Sequence, residues 1–502
     1  MTTAHSEAAA AATPEQRLHP LSWLFELFNV LKQFIVPLLF LLFTGRGDRY
    51  EFWGLLAAGV MVPLALARYY SFRYRIGADR IVIRSGLLQR TVRDIAFTRI
   101  QNVSLHRSPL HRLMGVAEVR LETGGGDKEE GRMRVLGLPE AERLRQLVRS
   151  GETEMRPTEA STAEAAIDGG PDTPLLQLDW RELLKLGLVS NKGMVLVAAG
   201  LGAAFQFDQG LARATLNRAA GWLWDHGSEL TALGPVRYVL AGLLVLLAAF
   251  VALRLISVVQ AFLHYHGFNL RADRHRLSLA RGLLNRFEGA LPRTRIQAWT
   301  LRQSWLQRRV ARFDLRVDAA GGKNVKSENM EAHWQLAPIA DAGHIAGIVD
   351  AVLPAGAWPV QRWRPLHANA WQREFKAPAL FLLIPTAILV YWLQAWGLLL
   401  LLSHPWLWFQ SKQWAKHAGY SYANGLIAVR EGWIGKTWRF AEVRKVQAVY
   451  LKQSPFDRRH GMATVFCDTV NAGSLEPPLA VRYLPLAEAQ ALHAAIAAAI
   501  AE

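Results

Sequence analysis

From Ala377 to Ser411 the chain runs for 35 residues without an Asp, Glu, Lys or Arg. Such a stretch belongs in lipid or deep inside a protein, where its main chain must satisfy its own hydrogen bonds. Shorter charge-free runs cover Phe52–Ala67, Gly193–Phe207 and Tyr238–Leu253, the last continuing past Arg254 through Leu255–Phe262. Leu21–Phe43 is interrupted by Glu26 and Lys32 alone. A spanning helix needs about 20 mostly apolar residues. The runs therefore predict membrane helices near residues 24–43, 52–70, 186–207 and 238–262, plus a third hydrophobic block at 377–411. Core helices of a large soluble protein are the weaker reading. The third block is short for two spans and long for one. A tight hairpin turning near Gln394–Gly397 and a single tilted or kinked helix both stay open, and the repeat described next favours the hairpin.

Three polar segments follow these hydrophobic blocks, and they align with one another. The first holds Gly86, Arg99-Ile100-Gln101, Ser108-Pro109 and Arg112; the second Gly282, Arg295-Ile296-Gln297, Ser304 and Arg308; the third Gly432, Lys445-Val446-Gln447, Ser454-Pro455 and Arg458. Gly to Gln is 15 residues in each, Gln to Ser seven and Gln to Arg 11. Each copy then repeats a strand (Val116–Glu122, Phe313–Asp318, Ala463–Asp468), a turn rich in small residues, and a helix opening near Leu138-Pro139, Ala337-Pro338 or Leu484-Pro485. Before the Gln, β-branched runs such as Arg80–Arg84 and Leu426–Arg430 read as strands, as do Thr91–Phe97, Phe287–Pro292 and Thr437–Val443. Roughly seven short strands closed by one C-terminal helix is the plan of a pleckstrin-homology-like barrel. Each hydrophobic block is introduced by a segment mixing Trp with charges (Leu21–Phe28, Leu178–Leu184, Ala370–Phe375), as interfacial helices do.

This arrangement resembles the YdbT-type bacterial membrane proteins, built from repeated bacterial pleckstrin-homology domains (the former domain of unknown function 304). The resemblance covers nearly the whole chain. The second copy departs from it: Trp305 replaces the proline, Ala311 replaces the glycine found at Gly115 and Gly461, and its first strands are two residues longer. The expected fold class is an α+β membrane protein in which transmembrane hairpins alternate with three PH-like β-barrel domains. The division runs 1–19 flexible tail, 20–70 interfacial helix and first hairpin, 71–150 first domain, 151–176 acidic linker and 177–263 interfacial helix and second hairpin. It continues with 264–353 second domain, 354–376 Trp/Arg interfacial linker, 377–411 third hairpin and 412–502 third domain.

Charge gives the expected orientation. Lys and Arg number 58 against 41 Asp and Glu, a net +17. Such a balance points to nucleic acid, an anionic membrane surface or the positive-inside bias of a membrane protein. Arg68, Arg73, Arg75, Arg80, Arg84, Arg90 and Arg93 crowd behind the second span, whereas the loop 208–236 sets Arg213 and Arg218 against Asp208, Asp225 and Glu229. Positive-inside counting puts the polar segments in the cytoplasm of a multi-pass inner-membrane protein and the connecting loops outside. The first 20 residues lack a signal-peptide pattern, so no cleaved leader is expected. Cys467 is the single cysteine, which excludes an intramolecular disulfide and a Cys-rich metal site.

The chain lacks a Walker loop, HExxH, GxSxG and a kinase set, so neither an enzyme nor a cofactor is expected. The His106/His111 and His264/His266 pairs lack a third metal ligand, and Trp358, Trp363 and Trp371 among basic residues read as an interfacial anchor ahead of a nucleic-acid strip. The recurrent residues Arg99, Gln101, Arg112, Arg295, Gln297, Arg308, Arg444, Lys445, Gln447 and Arg458 are the candidate lipid- or partner-binding set. Bracing the fold competes with binding as their role. What the resemblance implies is a non-catalytic scaffold for envelope maintenance or stress and antimicrobial resistance. Its expected partners are anionic lipid head groups and other membrane or cytoplasmic proteins, a smaller PH-domain membrane protein among them. Homo-oligomers are an open option, and nucleic acid is not expected. A component of a transport or export system is the alternative.

Overall fold

A computed structural model of the chain describes residues 70–77, 80–85, 91–97, 100–123, 131–154, 173–191, 235–273, 275–320, 333–353, 358–469 and 479–501. It also describes residues 16–17, 22, 25, 67, 193–195, 197, 202, 217–218 and 221. The expected spans at 24–43 and 52–70, nearly all of the 208–236 loop and most of the acidic linker lie outside the described residues.

In chain order the first copy comprises β1 (Gln16–Arg17), β2 (Arg73–Ile76), β3 (Arg80–Ser85), β4 (Thr91–Ala96), β5 (Ile100–Arg107), α1 (Pro109–Leu113), β6 (Val116–Thr123), β7 (Gly131–Gly137) and α2 (Leu138–Glu154). The second comprises β8 (Thr173–Gln177), α3 (Trp180–Val189), α4 (Pro235–Tyr265), β9 (Asn269–Ala272), β10 (Arg276–Arg281), β11 (Arg286–Pro292), β12 (Ile296–Gln303), α5 (Trp305–Arg309), β13 (Phe313–Ala319), β14 (His333–Ala340) and α6 (Ala342–Asp350). The third comprises β15 (Arg364–Pro365), α7 (Ala370–Leu393), α8 (Ser403–His417), β16 (Gly419–Ala423), β17 (Leu426–Glu431), β18 (Lys436–Glu442), β19 (Val446–Lys452), α9 (Pro455–Arg459), β20 (Met462–Thr469), β21 (Leu479–Pro485) and α10 (Leu486–Ala501). In each copy a strand that precedes the hydrophobic block pairs with the strand that follows it: β1 with β2, β8 with β9, and β15 with β16.

The repeated residues have local structural reasons. Ser108, Ser304 and Ser454 are N-caps whose side chains accept from the N–H three residues on, at His111, Gln307 and Asp457. Trp305 replaces proline without loss of this helix because Ser304 and Gln307 close a capping box. Ala311 keeps the left-handed turn of Gly115 and Gly461, at φ 49° against 64° and 62°. The second copy's closing helix differs from expectation. Pro338 lies inside β14, and α6 starts four residues later, capped by Asp341.

The chain divides into two compact units, and the division falls inside the second copy. One unit holds the first copy together with Gln177–Asn269 and Ser278–Ala290 of the second. In its four-stranded sheet, ordered β1-β2-β3-β4, alternation buries Ile81 and Ile83 while Arg84 is exposed. β7, β6 and β5 follow in a second sheet, and β5 pairs antiparallel with β11 of the next copy. The core gathers Ile81, Ile95, Leu105, Val119, Leu121 and Leu144 beneath α2.

The other unit repeats the plan. Its seven-stranded sheet runs β14-β13-β12-β18-β17-β16-β15, so β12 of the second copy pairs with β18 of the third. A three-stranded sheet, β19-β20-β21, completes it under α10, which buries Ala489, Leu492 and Ile496 from one face. Closure of each copy into its own barrel is not shown, because strand pairing passes from one copy to the next. The physical reason lies in the middle strands. β12 is a central strand buried at every position except Arg302, and Trp299 stacks on Phe440 across the junction with ring centroids 5.9 Å apart.

Among the described residues two helices are long and apolar enough to cross a membrane, one at Gly242–Tyr265 and one at Ala370–His417, and both are hardly buried within the protein. The second is folded back on itself: Lys412 lies 5.3 Å from the ring of Trp371, 41 residues earlier. The reversal begins at Gln394, at φ 52°, where a nine-residue 3₁₀ helix, Gln394–Leu402, starts. That helix lengthens the return leg of the fold-back. At about 2.0 Å per residue it covers roughly 18 Å, where an α-helix would cover about 13 Å. With Ser403–Ser411 the return leg reaches about 30 Å, the thickness of a hydrocarbon core. In the second hydrophobic block α3 ends at Val189, so residues 186–189 belong to the amphipathic entry helix and not to the span expected from 186. There the Gly193 N–H donates to Ser257 Oγ of α4 at 3.1 Å, and Arg254 Nη1 donates to the Ser190 carbonyl at 3.0 Å.

Candidate functional site

The repeated glycine opens a turn that only glycine fits. Gly282 (φ 106°) and Gly432 (φ 92°) are left-handed, and a Cβ at either would strike the backbone carbonyl three residues on. These turns are fastened to the ends of the apolar helices. In the second copy the Gly282 N–H donates to His266 O at 2.9 Å and the Leu283 N–H to Leu263 O, at the end of α4, at 3.0 Å. In the third the Trp433 ring packs on Phe409 (5.3 Å) and Trp406 (6.4 Å) of α8. Beside them Leu284 and Ile434 are exposed. The geometry places two apolar-tipped turns where the apolar helices end.

The arginine that follows the repeated serine reaches these turns. Arg112 Nη1 donates to the Leu283 carbonyl at 2.7 Å, and Arg308 Nη1 donates to the Trp433 carbonyl at 3.4 Å. The two bonds join equivalent positions, each from one copy to the next. Around Arg308 the surface is cationic. Burial, and then the charges of Arg308 and Arg430, push the Lys436 ammonium below its ordinary value. Arg430 donates to His417 O at 2.8 Å and lies over the Trp363 ring. Lys412 lies over the Trp371 and Trp408 rings. Cations among aromatic rings at the end of an apolar helix suit a membrane–water interface.

The other candidates scatter. Lys445 Nζ donates to the Thr294 carbonyl, again across the junction of the second and third copies. Arg295 lends its carbonyl to the Ala320 N–H (2.8 Å) and to Gln297 Nε2 (3.4 Å), and Gln297 is buried. Gln447 is exposed on β19, as is Arg458 on α9, and Arg444 pairs with Glu442. Gln101 lies in β5, and Arg99 falls outside the described residues. Among the described candidates, Arg112, Arg308 and Lys445 lie at junctions between copies.

The same junctions contain residues that spacing did not single out. Arg107 Nη2 donates to Glu288 at 2.9 Å, Arg286 Nε donates to it at 2.7 Å, and Arg145 Nη1 lies 3.6 Å from it. At the other junction Arg439 bonds Asp318 at 3.0 Å. The third residue of the first and last short helices, α1 and α9, also docks the preceding helical segment: Phe25 packs on His111 (4.1 Å), and Arg373 bonds Asp457 (2.8 Å). A cap position is legible from sequence, but its second partner, more than 80 residues earlier, is not. Cys467 is fully buried and its thiol is pushed up to about 12 by burial, which makes it inert. Among the described residues no group of three or more potential metal ligands occurs.

Glu288 gives a pH test. Burial works to raise its pKa, but the Arg286 hydrogen bond and the charges of Arg107, Arg286 and Arg145 outweigh it and hold the carboxyl below its ordinary value. A depressed carboxylate contributes its stability in full above the unfolded pKa, about 4.3, and loses it as pH falls through the lower folded value. Glu288→Gln is expected to cost about 1–3 kcal/mol at pH 7. Thermal unfolding of the detergent-solubilised chain should show that deficit shrinking as the pH is taken below 4; an equal deficit at pH 7 and in acid would refute the assignment.

The bacterial PH domain family matches residues 27–152, 229–352 and 379–500. The chain is also 23% identical over 478 residues to the transmembrane protein YdbT of Bacillus subtilis (strain 168), covering 92% of this chain and 94% of that protein. No solved structure matches the chain. The three matched stretches fall on the three copies described above and together take in well over half of the residues, so the chain belongs to the bacterial PH domain family.

Proposed function

We propose that the protein is a non-enzymatic membrane scaffold whose three PH-like copies lie on the cytoplasmic side of a bacterial inner membrane, where they engage anionic lipid head groups and hold protein partners. The carrying observation is the placement of Arg112 and Arg308. Both bond to turns that sit at the ends of apolar helices, beside exposed Leu284 and Ile434. At that level a guanidinium meets lipid phosphate, and each basic residue near an anionic surface is worth about 1 kcal/mol. The crowding of Lys436 by Arg308 and Arg430 is a cost that an anion relieves. The relative's printed name, a transmembrane protein, supports the membrane setting. A role in envelope maintenance or stress resistance extends the resemblance noted from the repeat.

The test is the full chain in nanodiscs of phosphatidylcholine with and without phosphatidylglycerol. Anionic lipid is expected to raise the melting temperature, and the triple variant Arg112→Gln, Arg308→Gln, Arg458→Gln should lose most of that rise, equivalent to about 3 kcal/mol. A bracing role alone would lower stability equally in both lipids, so an unchanged lipid-dependent rise in the variant would refute the reading.

A further inference from the structure

The two junctions between copies share one register. Arg286 faces Arg107, Phe287 faces His106 and Glu288 faces Leu105 at the first; Lys436 faces Gln303, Thr437 faces Arg302 and Trp438 faces Leu301 at the second. Along the repeat these are the same pairs of positions. Each junction therefore joins an outgoing strand, β5 or β12, to an incoming strand, β11 or β18. Two members of this series lack such a neighbour. Among the described residues, the incoming strand of the first copy, β4, ends its sheet, as does the outgoing strand of the third copy, β19.

Their surfaces differ from those of their counterparts in the way an unmatched edge should. Thr91, Val92, Arg93 and Asp94 of β4 are all exposed. Gln447, Ala448, Tyr450 and Lys452 of β19 are exposed, whereas the equivalent Gln297, Ala298 and Thr300 of β12 are buried. An edge strand presents unpaired backbone groups to any complementary strand, and isolated edges are commonly blunted by charge. Here the charges are complementary instead. Arg439 of β18 bonds Asp318 of β13 at 3.0 Å, and the same two repeat positions are Arg93 on β4 and Asp468 on β20.

We propose that β4 of one chain pairs with β19 of a second copy of the chain, in the register Thr91–Lys452, Val92–Leu451 and Arg93–Tyr450, with Arg93 meeting Asp468. The occupant follows from the protein's own junctions, which use these two strand positions for this contact twice. The contact is heterologous, so copies join head to tail and the series of strand-paired domains continues from chain to chain. The inference goes beyond the lipid-binding reading and stands without it. It requires both edges on one side of the membrane, and its test begins in detergent, where orientation plays no part.

Two tagged full-length chains, one carrying Thr91→Cys and the other Lys452→Cys, are co-expressed and mildly oxidised in detergent. Facing residues of antiparallel strands have Cα atoms about 4.5–5.5 Å apart, within disulfide reach. The buried Cys467 thiol stays in place. The internal pair Arg302→Cys with Thr437→Cys, at equivalent positions within one chain, reports on the fold and on the chemistry. The expected result is a disulfide between the two different variants and little between two chains carrying the same substitution. Arg93→Asp should lower its yield about tenfold, and Asp468→Arg in the same chains should restore it. Closure of the internal pair without the intermolecular one overturns the proposal, as does capture of Thr91→Cys by a different protein.

Discussion

Trp299→Ala is expected to cost about 3–5 kcal/mol, the range for deleting a large buried aromatic side chain. The ring is 1% exposed and stacks on Phe440 of the next copy, and Phe440 stacks in turn on Trp358 at 4.9 Å. The loss falls on the contact that joins the second copy to the third, because β12 and β18 are hydrogen-bonded neighbours there. Limited proteolysis of the solubilised chain should therefore release a fragment carrying β16 to α10 from the variant and not from the parent. Truncation of Tyr450, stacked on Phe466 but 46% exposed on the β19 edge, serves as the comparison and should cost far less in the isolated chain. Equal losses from the two substitutions would mean that the sheet pairing between copies is not what makes Trp299 important.

Gly397→Val tests the apolar hairpin. A Cβ at Gly397 would sit on the backbone of Leu389 and Val390, which have no flexible side-chain end to give way. Overpacking against main chain belongs at the upper end of its usual range, about 3 kcal/mol. The expected outcome is a hairpin that no longer closes, seen as a several-fold loss of monodisperse protein after extraction. Lys412 should also lose its approach to Trp371, read as a change in tryptophan fluorescence. Gly242→Val is the control, since it lies in the other long apolar helix with open space around it. If both variants behave alike, the close approach at Gly397 carries no weight, and a single long helix through residues 377–411 returns as the better account.

Much of the fold was legible because it is local and periodic. The repeated Ser-Pro positions, read only as a turn, are the starts of the capped helices α1 and α9, and the repeated glycines Gly282 and Gly432 stand at left-handed turns that strike their own backbone if a side chain is added. The β-branched runs Arg80–Arg84 and Leu426–Arg430 announced the strands β3 and β17. The hairpin turn near Gln394–Gly397 was one of two readings. The chain folds back there through a 3₁₀ segment, whose longer rise per residue no hydropathy count contains. Pro338 misled for the converse reason. A proline suits a helix start, but here the strand β14 continues through it, and Asp341 supplies the cap.

The candidate arginines show where local reading stops. Repetition marked Arg112 and Arg308, but their hydrogen-bond partners, the carbonyls of Leu283 and Trp433, are 171 and 125 residues away. Backbone carbonyls are chemically alike at every position, so nothing in the side chain of Leu283 or Trp433 advertises them. By itself the sequence determined the apolar blocks, the threefold repeat and its turn and cap residues, since each depends on neighbours a few positions apart. Only the tertiary structure decided that the sheets pair from copy to copy, with β5 on β11 and β12 on β18. A strand edge can hydrogen-bond any other edge of matching direction. The choice among partners is made by packing across distant segments, here by Trp299 on Phe440 and by Arg107 on Glu288.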